Sequence, residues 1–157
     1  MTPSTDDLQD YLTTHIPLSV AMQVHVALAD DTQVELRAPL APNINHRGTV
    51  FGGSIATIAT LACWSLLWMR TRDWLPAPHL VVRRSKIDYD HPAEGEFRAI
   101  ARIPPEMDWN AIAKRYAEWR RTRIMLDANV IAGTLAAAHF SGEFVALAPD
   151  DKAHQHA

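Results

Sequence analysis

The fold of this chain is decided by the stretch Asn43-Ile44-Asn45-His46-Arg47-Gly48-Thr49-Val50-Phe51-Gly52-Gly53-Ser54 and by the apolar run that follows it, residues 55–69. No charged side chain lies between Arg47 and Arg70. The first half is a polar loop that contains glycine, whereas the second half is typical of a helix that is apolar on every side. Such a helix has to be surrounded by protein or by lipid.

The apolar run is long enough to be considered as a membrane span. However, it contains Ser and Thr residues, and much of the remaining chain has the alternating polarity of β-strands. We therefore expect a central helix that is wrapped by a sheet, and no membrane span.

The composition is that of one ordinary globular domain, with 157 residues, 48% hydrophobic and 21% charged. The net charge of −3 provides no basic field, so nucleic acid is not an expected partner. Cys63, which has no second cysteine to pair with, is predicted to be a buried structural thiol. Residues 1–7 are acidic and lack a signal-peptide pattern, so we predict a cytoplasmic protein.

The order of the predicted elements gives the fold class. Residues 4–15 are predicted to form a helix that Ser4 and Asp7 cap, and residues 108–120 a helix that Asp108 caps. Strands are predicted at 19–29, 34–38, 79–89, 97–103, 124–130 and 135–147, with a bulge at Gly142. Short turns between strands indicate an antiparallel sheet. We predict an α+β domain over residues 1–148, in which a curled sheet of about six strands wraps the long helix, and a flexible tail over residues 149–157.

The glycines that begin the long helix are the first candidate site. The first turn of a helix has backbone N–H groups without partners and carries partial positive charge. Because Gly52 and Gly53 lack Cβ atoms, a ligand oxygen can approach these N–H groups closely. Side-chain donors could come from four residues just upstream: Asn43, Asn45, His46 and Thr49. The alternatives are that the glycines only permit a turn, that the asparagines only form caps or Asx turns, and that His46 is a solvated loop residue.

The string 45–54 and the later Ile87-Asp88-Tyr89-Asp90-His91-Pro92 resemble the hotdog-fold thioesterase-like proteins, and more narrowly the family of the YiiD C-terminal domain. The resemblance covers about residues 16–147. It implies a hotdog fold, an acyl thioester of coenzyme A or acyl carrier protein as substrate, and a homodimer or higher homo-oligomer. The family includes thioesterases and malonyl-acyl-carrier-protein decarboxylases. The resemblance implies no resident cofactor and no metal, because coenzyme A or phosphopantetheine arrives with the substrate.

The chain departs from the broader hotdog thioesterase pattern at two positions. Asn45, Gly48 and the glycine pair match, but Phe51 replaces a histidine, and Thr60 stands where a carboxylate commonly lies. Hydrolysis needs a base that activates water, and threonine is a poor base. Decarboxylation of a malonyl thioester needs no base, but it needs donors that stabilise the enolate oxygen.

The resemblance and these departures favour malonyl-thioester decarboxylation, which would supply an acetyl starter for fatty-acid synthesis. Asn45 and the N–H of Gly53 are predicted to hold the thioester oxygen, Phe51 to keep the site dry, and Thr49, Ser54 and Thr60 to assist. Thioester hydrolysis is the alternative, with Asp88 or Glu94 as the carboxylate; a non-catalytic subunit that binds acyl thioesters is the third hypothesis.

Basic residues form a second candidate region. Arg83 and Arg84 on the third predicted strand are candidates to bind coenzyme A phosphates or an acidic carrier protein. The alternative is a solvated sheet face.

Overall fold

The computed structural model describes residues 4–150 and contains a six-stranded antiparallel sheet curled around a long helix. The elements in chain order are α1 (Thr5–His15), α2 (Pro17–Ala21), β1 (His25–Ala29), β2 (Gln33–Ala38), a 3-10 turn (Ala41–Asn43), α3 (Gly52–Thr71), β3 (His79–Tyr89), β4 (Phe97–Arg102), α4 (Trp109–Trp119), β5 (Arg121–Ala132) and β6 (Leu135–Leu147). The strand order is β1-β2-β4-β5-β6-β3, and neighbouring strands are antiparallel. The predicted fold class is therefore confirmed. Most of the predicted tail, 151–157, lies outside the described residues.

The central helix α3 lies against the concave face of the sheet. By length and composition it could cross a membrane, but just over half of its most apolar window is buried inside the protein. Ile58, Leu66 and Leu67 are fully buried and join the core formed with the inward residues of the strands. Burial against the sheet thus accounts for the apolar character of α3. Cys63 is buried in the same core, as predicted, and burial raises the pKa of its thiol far above the usual value.

Local sequence signals at the starts of α1 and α4 are confirmed. The Ser4 hydroxyl accepts a hydrogen bond from the Asp7 N–H, and the Asp7 carboxylate accepts one from the Ser4 N–H. At α4, the Asp108 carboxylate accepts from the Ala111 N–H at 3.0 Å. Both caps satisfy donors of the first helical turn, which would otherwise have no partner.

The predicted strand over residues 19–29 is wrong in its first half. Pro17 begins the short helix α2, since its fixed φ suits the first helical position. The Ser19 hydroxyl donates to the carbonyls of Leu12 and Ile16, which joins α2 to the end of α1. The strand itself starts at His25, after Gln23 adopts a left-handed backbone with φ 57°. Alternation of apolar residues alone did not reveal this helix.

The predicted bulge at Gly142 is also wrong. Gly142 pairs in register with Ser85 on β3 and with Leu126 on β5. A Cβ on Gly142 would lie 2.5 Å from the Phe144 ring and 2.8 Å from the Phe140 ring. Glycine at this position therefore makes room for two buried aromatic rings on the same strand.

Strand β3 forms one edge of the sheet and is largely exposed. It spans eleven residues and pairs only with β6. Val81 and Val82 are each 45% exposed, and Tyr89 at the end of the strand is 54% exposed. A long exposed edge strand of this kind is available to pair with another chain.

Candidate active site

The loop before α3 is organised by the side chain of Asn45. Its Oδ1 accepts hydrogen bonds from the N–H groups of Arg47 at 2.8 Å and Thr49 at 3.1 Å. Its Nδ2 donates to the Thr49 hydroxyl at 2.8 Å and lies 3.4 Å from the Val50 carbonyl. Gly48 completes the turn with φ 81°, a conformation that glycine adopts without strain. In this structure both ends of the Asn45 amide are engaged within the loop.

Asn43 holds the start of this loop in place through hydrogen bonds. The residue is 2% exposed, and its Nδ2 donates to the carbonyls of Met22 at 3.0 Å and Pro39 at 2.8 Å. Its own carbonyl accepts the N–H of Phe51 at 2.7 Å. Asn43 therefore fixes the residue that immediately precedes α3.

The first turn of α3 has no side-chain cap. Phe51 occupies the N-cap position and makes no side-chain hydrogen bond there. Within residues 4–150, the N–H groups of Gly52 and Gly53 donate to no other group. Two backbone donors thus remain available at the positive end of a 20-residue helix.

Two aromatic side chains flank these donors. A Cβ on Gly53 would lie 2.3 Å from the Phe51 ring, so the ring rests directly against this glycine. The Tyr89 hydroxyl donates to the Gly52 carbonyl at 3.2 Å and ties the end of β3 to the helix start. The sequence predicts Phe51 as a site residue, but it gives Tyr89, which lies in the string 87–92, no role, because no local pattern shows where that strand ends in space.

A cavity of about 320 Å³, here called the threonine cavity, lies along α3, where its lining begins at Ala56, three residues after Gly53. It is lined by Ile16, Leu18, Ser19, Ala56, Thr57, Thr60, Leu61, Trp64, Val82 and Phe144. The hydroxyls of Thr57 and Thr60 donate to the carbonyls of Gly53 and Ala56, each at 2.8 Å, so they cover the polar backbone of the helix. The lining, which lies wholly within the described residues, contains no Asp, Glu or His.

Several predicted residues lie away from this group. His46 is exposed in the loop. Arg84 lies five residues before Tyr89 on an extended strand, about 17 Å along β3 from the helix start. Arg83 forms an ion pair with Glu143 at 3.0 Å. Within one chain, the structure therefore brings Asn45, Thr49 and Phe51 close to the glycine pair but does not bring the arginines there.

The two candidate carboxylates also lie outside the threonine cavity. Asp88 is exposed and lies 3.4 Å from the ammonium group of Lys86. Glu94 is exposed and lines a separate surface cavity of about 540 Å³ near Gly133 and Thr134. In the described part of the chain, neither carboxylate lines the threonine cavity.

The curled sheet, the long central helix and the cavity at its start define a hotdog-fold protein of the thioesterase-like type. Residues 5–148 match the family described as "Putative thioesterase (yiiD_Cterm)", and the chain belongs to this family. The resemblance noted from residues 45–54 is confirmed, and family membership indicates an enzyme that acts on acyl thioesters.

Solved structures from three bacteria are similar to the chain. A protein of unknown function from Chlorobaculum tepidum is 27% identical, with 94% of this chain and 99% of that chain covered and a TM-score of 0.86. A "putative thioesterase" from Shewanella oneidensis is also 27% identical, with 91% and 96% covered and a TM-score of 0.80. A thioesterase from Haemophilus influenzae, 9% identical with 98% and 97% covered, shares the fold with a TM-score of 0.78.

Proposed function

We propose that the protein decarboxylates a malonyl thioester carried by coenzyme A or acyl carrier protein. The observation that carries this proposal is a pair of free N–H donors, at Gly52 and Gly53, one helical turn from a cavity whose lining begins at Ala56 and has no Asp, Glu or His. Donors placed at a developing oxyanion stabilise the transition state, and removal of one donor of this kind costs about 3–4 kcal/mol.

The reaction needs these donors, an apolar surface beside the carboxylate and a proton for the α-carbon. The bond between the carboxylate carbon and the α-carbon breaks, carbon dioxide leaves, and the electron pair forms an enolate whose oxygen accepts hydrogen bonds from the two N–H groups. The α-carbon then takes a proton from water, which gives the acetyl thioester. The Phe51 ring against Gly53 provides an apolar surface next to the departing carboxylate, where loss of its charge is favourable.

Asn45 is proposed to support this site, and the structure suggests two ways in which it can do so. Its Nδ2 can donate to the thioester oxygen if it turns away from Thr49, or it can hold the loop through the bonds seen here. Either role places Asn45 next to the reaction. Ser54 and Thr60 remain proposals as assisting residues; the Thr60 hydroxyl is engaged with the Ala56 carbonyl.

Thioester hydrolysis is a second candidate function, favoured by the family description. A hydrolase needs a base near the attacking water. Such a base would have to come from outside the threonine cavity, for instance from Asp88 or Glu94 of a second copy of the chain.

A single experiment separates these functions. The purified protein is incubated with malonyl-coenzyme A, malonyl-acyl carrier protein and a series of acyl-coenzyme A esters, and the products are identified by mass spectrometry. Acetyl thioester supports decarboxylation, whereas free thiol with intact malonate or fatty acid supports hydrolysis. Unchanged substrates that bind measurably would contradict both and support a non-catalytic binding subunit.

We also propose that the protein forms a homodimer through β3. This strand is an unpaired edge of eleven residues, and the exposed Phe51 and Tyr89 lie near its end.

Val81→Lys should weaken the dimer about tenfold or more, because it places a charge at the interface between the two edge strands. Met125→Lys is the matched control, since Met125 is at least as exposed as Val81 (57% against 45%) but lies on β5 inside the sheet. Sedimentation velocity measures both; equal behaviour of the two variants, or a monomeric wild type, would contradict the proposal.

A further inference from the structure

Trp64 separates the threonine cavity from a second cavity, here called the aromatic cavity. The aromatic cavity has a volume of about 350 Å³, and its lining includes Tyr11, Trp68 and Leu80. Among the described residues, Trp64 alone lines both cavities. Its indole is therefore a partition between two spaces on the same side of α3.

The indole is held in place by partners on two other elements. Its Nε1 donates to the Leu80 carbonyl on β3 at 3.0 Å. The Tyr11 ring of α1 stacks on it with ring centroids 5.8 Å apart. A side chain fixed by both a hydrogen bond and a stacked ring keeps its rotamer, so the partition is closed in this structure.

The position of Trp64 along α3 suits the far end of an acyl site. Thr57, Thr60 and Trp64 are spaced by three and four residues, so they follow one face of the helix from its start. Eleven residues separate Gly53 from Trp64, which corresponds to about 16 Å along the axis. An acyl chain whose thioester lies at Gly53 and that follows this face would meet the indole end-on.

We propose that Trp64 sets the maximum length of the acyl chain that this site accepts. The inference rests on the broader part of the proposed function, an acyl thioester as the occupant of the site. A malonyl group ends well short of Trp64, so the limit concerns the longer acyl chains that the hydrolysis alternative would take. Removal of the indole would join the two cavities. A chain could then extend by one further helical turn, about 5.4 Å or roughly four methylenes, toward Trp68.

The test uses straight-chain fatty acids of increasing length, whose binding is measured by isothermal titration calorimetry. For the wild type, affinity should rise about fourfold for each added methylene and then level off at the length that reaches Trp64. For Trp64→Ala, the rise should continue for roughly four more methylenes. Trp64→Leu, which leaves the core better filled, should shift the limit less and provides the measurement if the alanine variant does not fold.

Trp68→Ala is the matched control. It removes the same side chain one helical turn further on, and Trp68 lines the aromatic cavity but not the threonine cavity. Its length limit should equal that of the wild type. An unchanged limit in both Trp64 variants, an equal shift in Trp68→Ala, or no fatty-acid binding by the wild type would overturn the inference.

Acyl-coenzyme A esters of the same lengths separate this inference from the proposed function. If the fatty-acid limit shifts as expected but no thioester, malonyl-coenzyme A included, is bound or converted, the partition stands and the proposed function fails. If malonyl-coenzyme A is decarboxylated, or longer acyl thioesters are hydrolysed, and the wild type and Trp64→Ala bind acyl chains with the same length limit, the acyl-thioester function stands and the partition fails.

Discussion

The helices α1 and α4 begin with a side-chain cap, whereas the longer helix α3 does not. Ser4 and Asp7 satisfy the first turn of α1, and Asp108 satisfies that of α4. At α3 the N-cap is Phe51, and the N–H groups of Gly52 and Gly53 have no partner within the described residues. A cap is worth about 1 kcal/mol to a helix. The sequence therefore omits a common stabilising interaction at the site proposed for catalysis.

The C-terminal end of α3, unlike its N-terminal end, has hydrogen-bonding and electrostatic partners. The Arg72 N–H donates to the Trp68 carbonyl at 3.0 Å. The guanidinium of Arg70 lies 4.6 Å from the centre of the Trp109 ring, near the negative end of the helix dipole. Only the end that contacts the loop and the threonine cavity is left open. The proposed function accounts for this difference, because it assigns the open end to a ligand oxygen.

The largest expected effect comes from capping the open end. Phe51→Asp places a carboxylate where Asp108 stands in α4, and it should accept the N–H of Gly53 or Ser54. We expect turnover of malonyl thioester to fall about 10³-fold or more, because both the donor and the positive field are then occupied. The melting temperature should stay level or rise. Steady-state kinetics and calorimetry provide the two measurements.

Phe51→Leu is the control for loss of the ring. It adds no cap and keeps an apolar side chain, so its turnover should fall far less than that of Phe51→Asp. Wild-type turnover by Phe51→Asp would show that the open helix start takes no part in the reaction.

Asn45 gives the next largest effect and separates its two proposed roles. Asn45→Ala loses all the loop bonds, and turnover should fall about 10²–10³-fold. Asn45→Asp keeps the oxygen that accepts from Arg47 and Thr49 but removes the Nδ2 donor. If Nδ2 contacts the substrate, Asn45→Asp should be as slow as Asn45→Ala while it keeps the wild-type melting temperature. Full turnover by both variants would exclude Asn45 from the site.

The fold could be predicted where local chemistry decides it. The capping residues Ser4 and Asp108, and the limits of β3, follow from residues adjacent in sequence. The prediction is wrong where a local feature, such as a helix-starting proline or a shift in strand register, overrides the alternation of apolar residues. Val20 fits the alternation of a strand, but Pro17 starts a helix that leaves Val20 51% exposed. At Leu28 a register shift in the pairing of β1 with β2 turns the side chain outward.

The site could be predicted only in part, because its walls come from distant parts of the chain. The glycine pair and Asn45 are contiguous, so their pattern is visible in the sequence. Tyr89 and Trp64 gain their positions from the pairing of β3 with β6 and from the packing of α1 on α3. Local sequence patterns do not describe such packing, so they give neither Tyr89 nor Trp64 a role in the site.

A smaller effect is expected where a cap only stabilises a helix. Asp108→Ala removes the acceptor for the Ala111 N–H and should lower the free energy of unfolding by about 1 kcal/mol. Turnover should be unchanged, since α4 contributes no residue to the threonine cavity. Chemical denaturation and kinetics measure the two quantities. A loss of turnover without a loss of stability would contradict the claim that the cap of α4 only stabilises its helix.

The smallest expected effect concerns the pH dependence of the α1 cap. Hydrogen bonds from the Ser4 backbone and hydroxyl hold the pKa of Asp7 below its ordinary value of 3.8. Because the folded pKa is lowered, the cap stabilises α1 above pH 3.8 and the stabilisation is lost as the pH falls through the lower, folded value.

Amide hydrogen exchange in α1 should therefore accelerate over this pH range in the wild type, beyond the intrinsic change with pH. Asp7→Asn should lack this extra acceleration, and an identical profile in both proteins would show that the carboxylate does not hold the helix start. The open start of α3 has no carboxylate to titrate, so exchange at Gly52 and Gly53 should follow the intrinsic rate throughout.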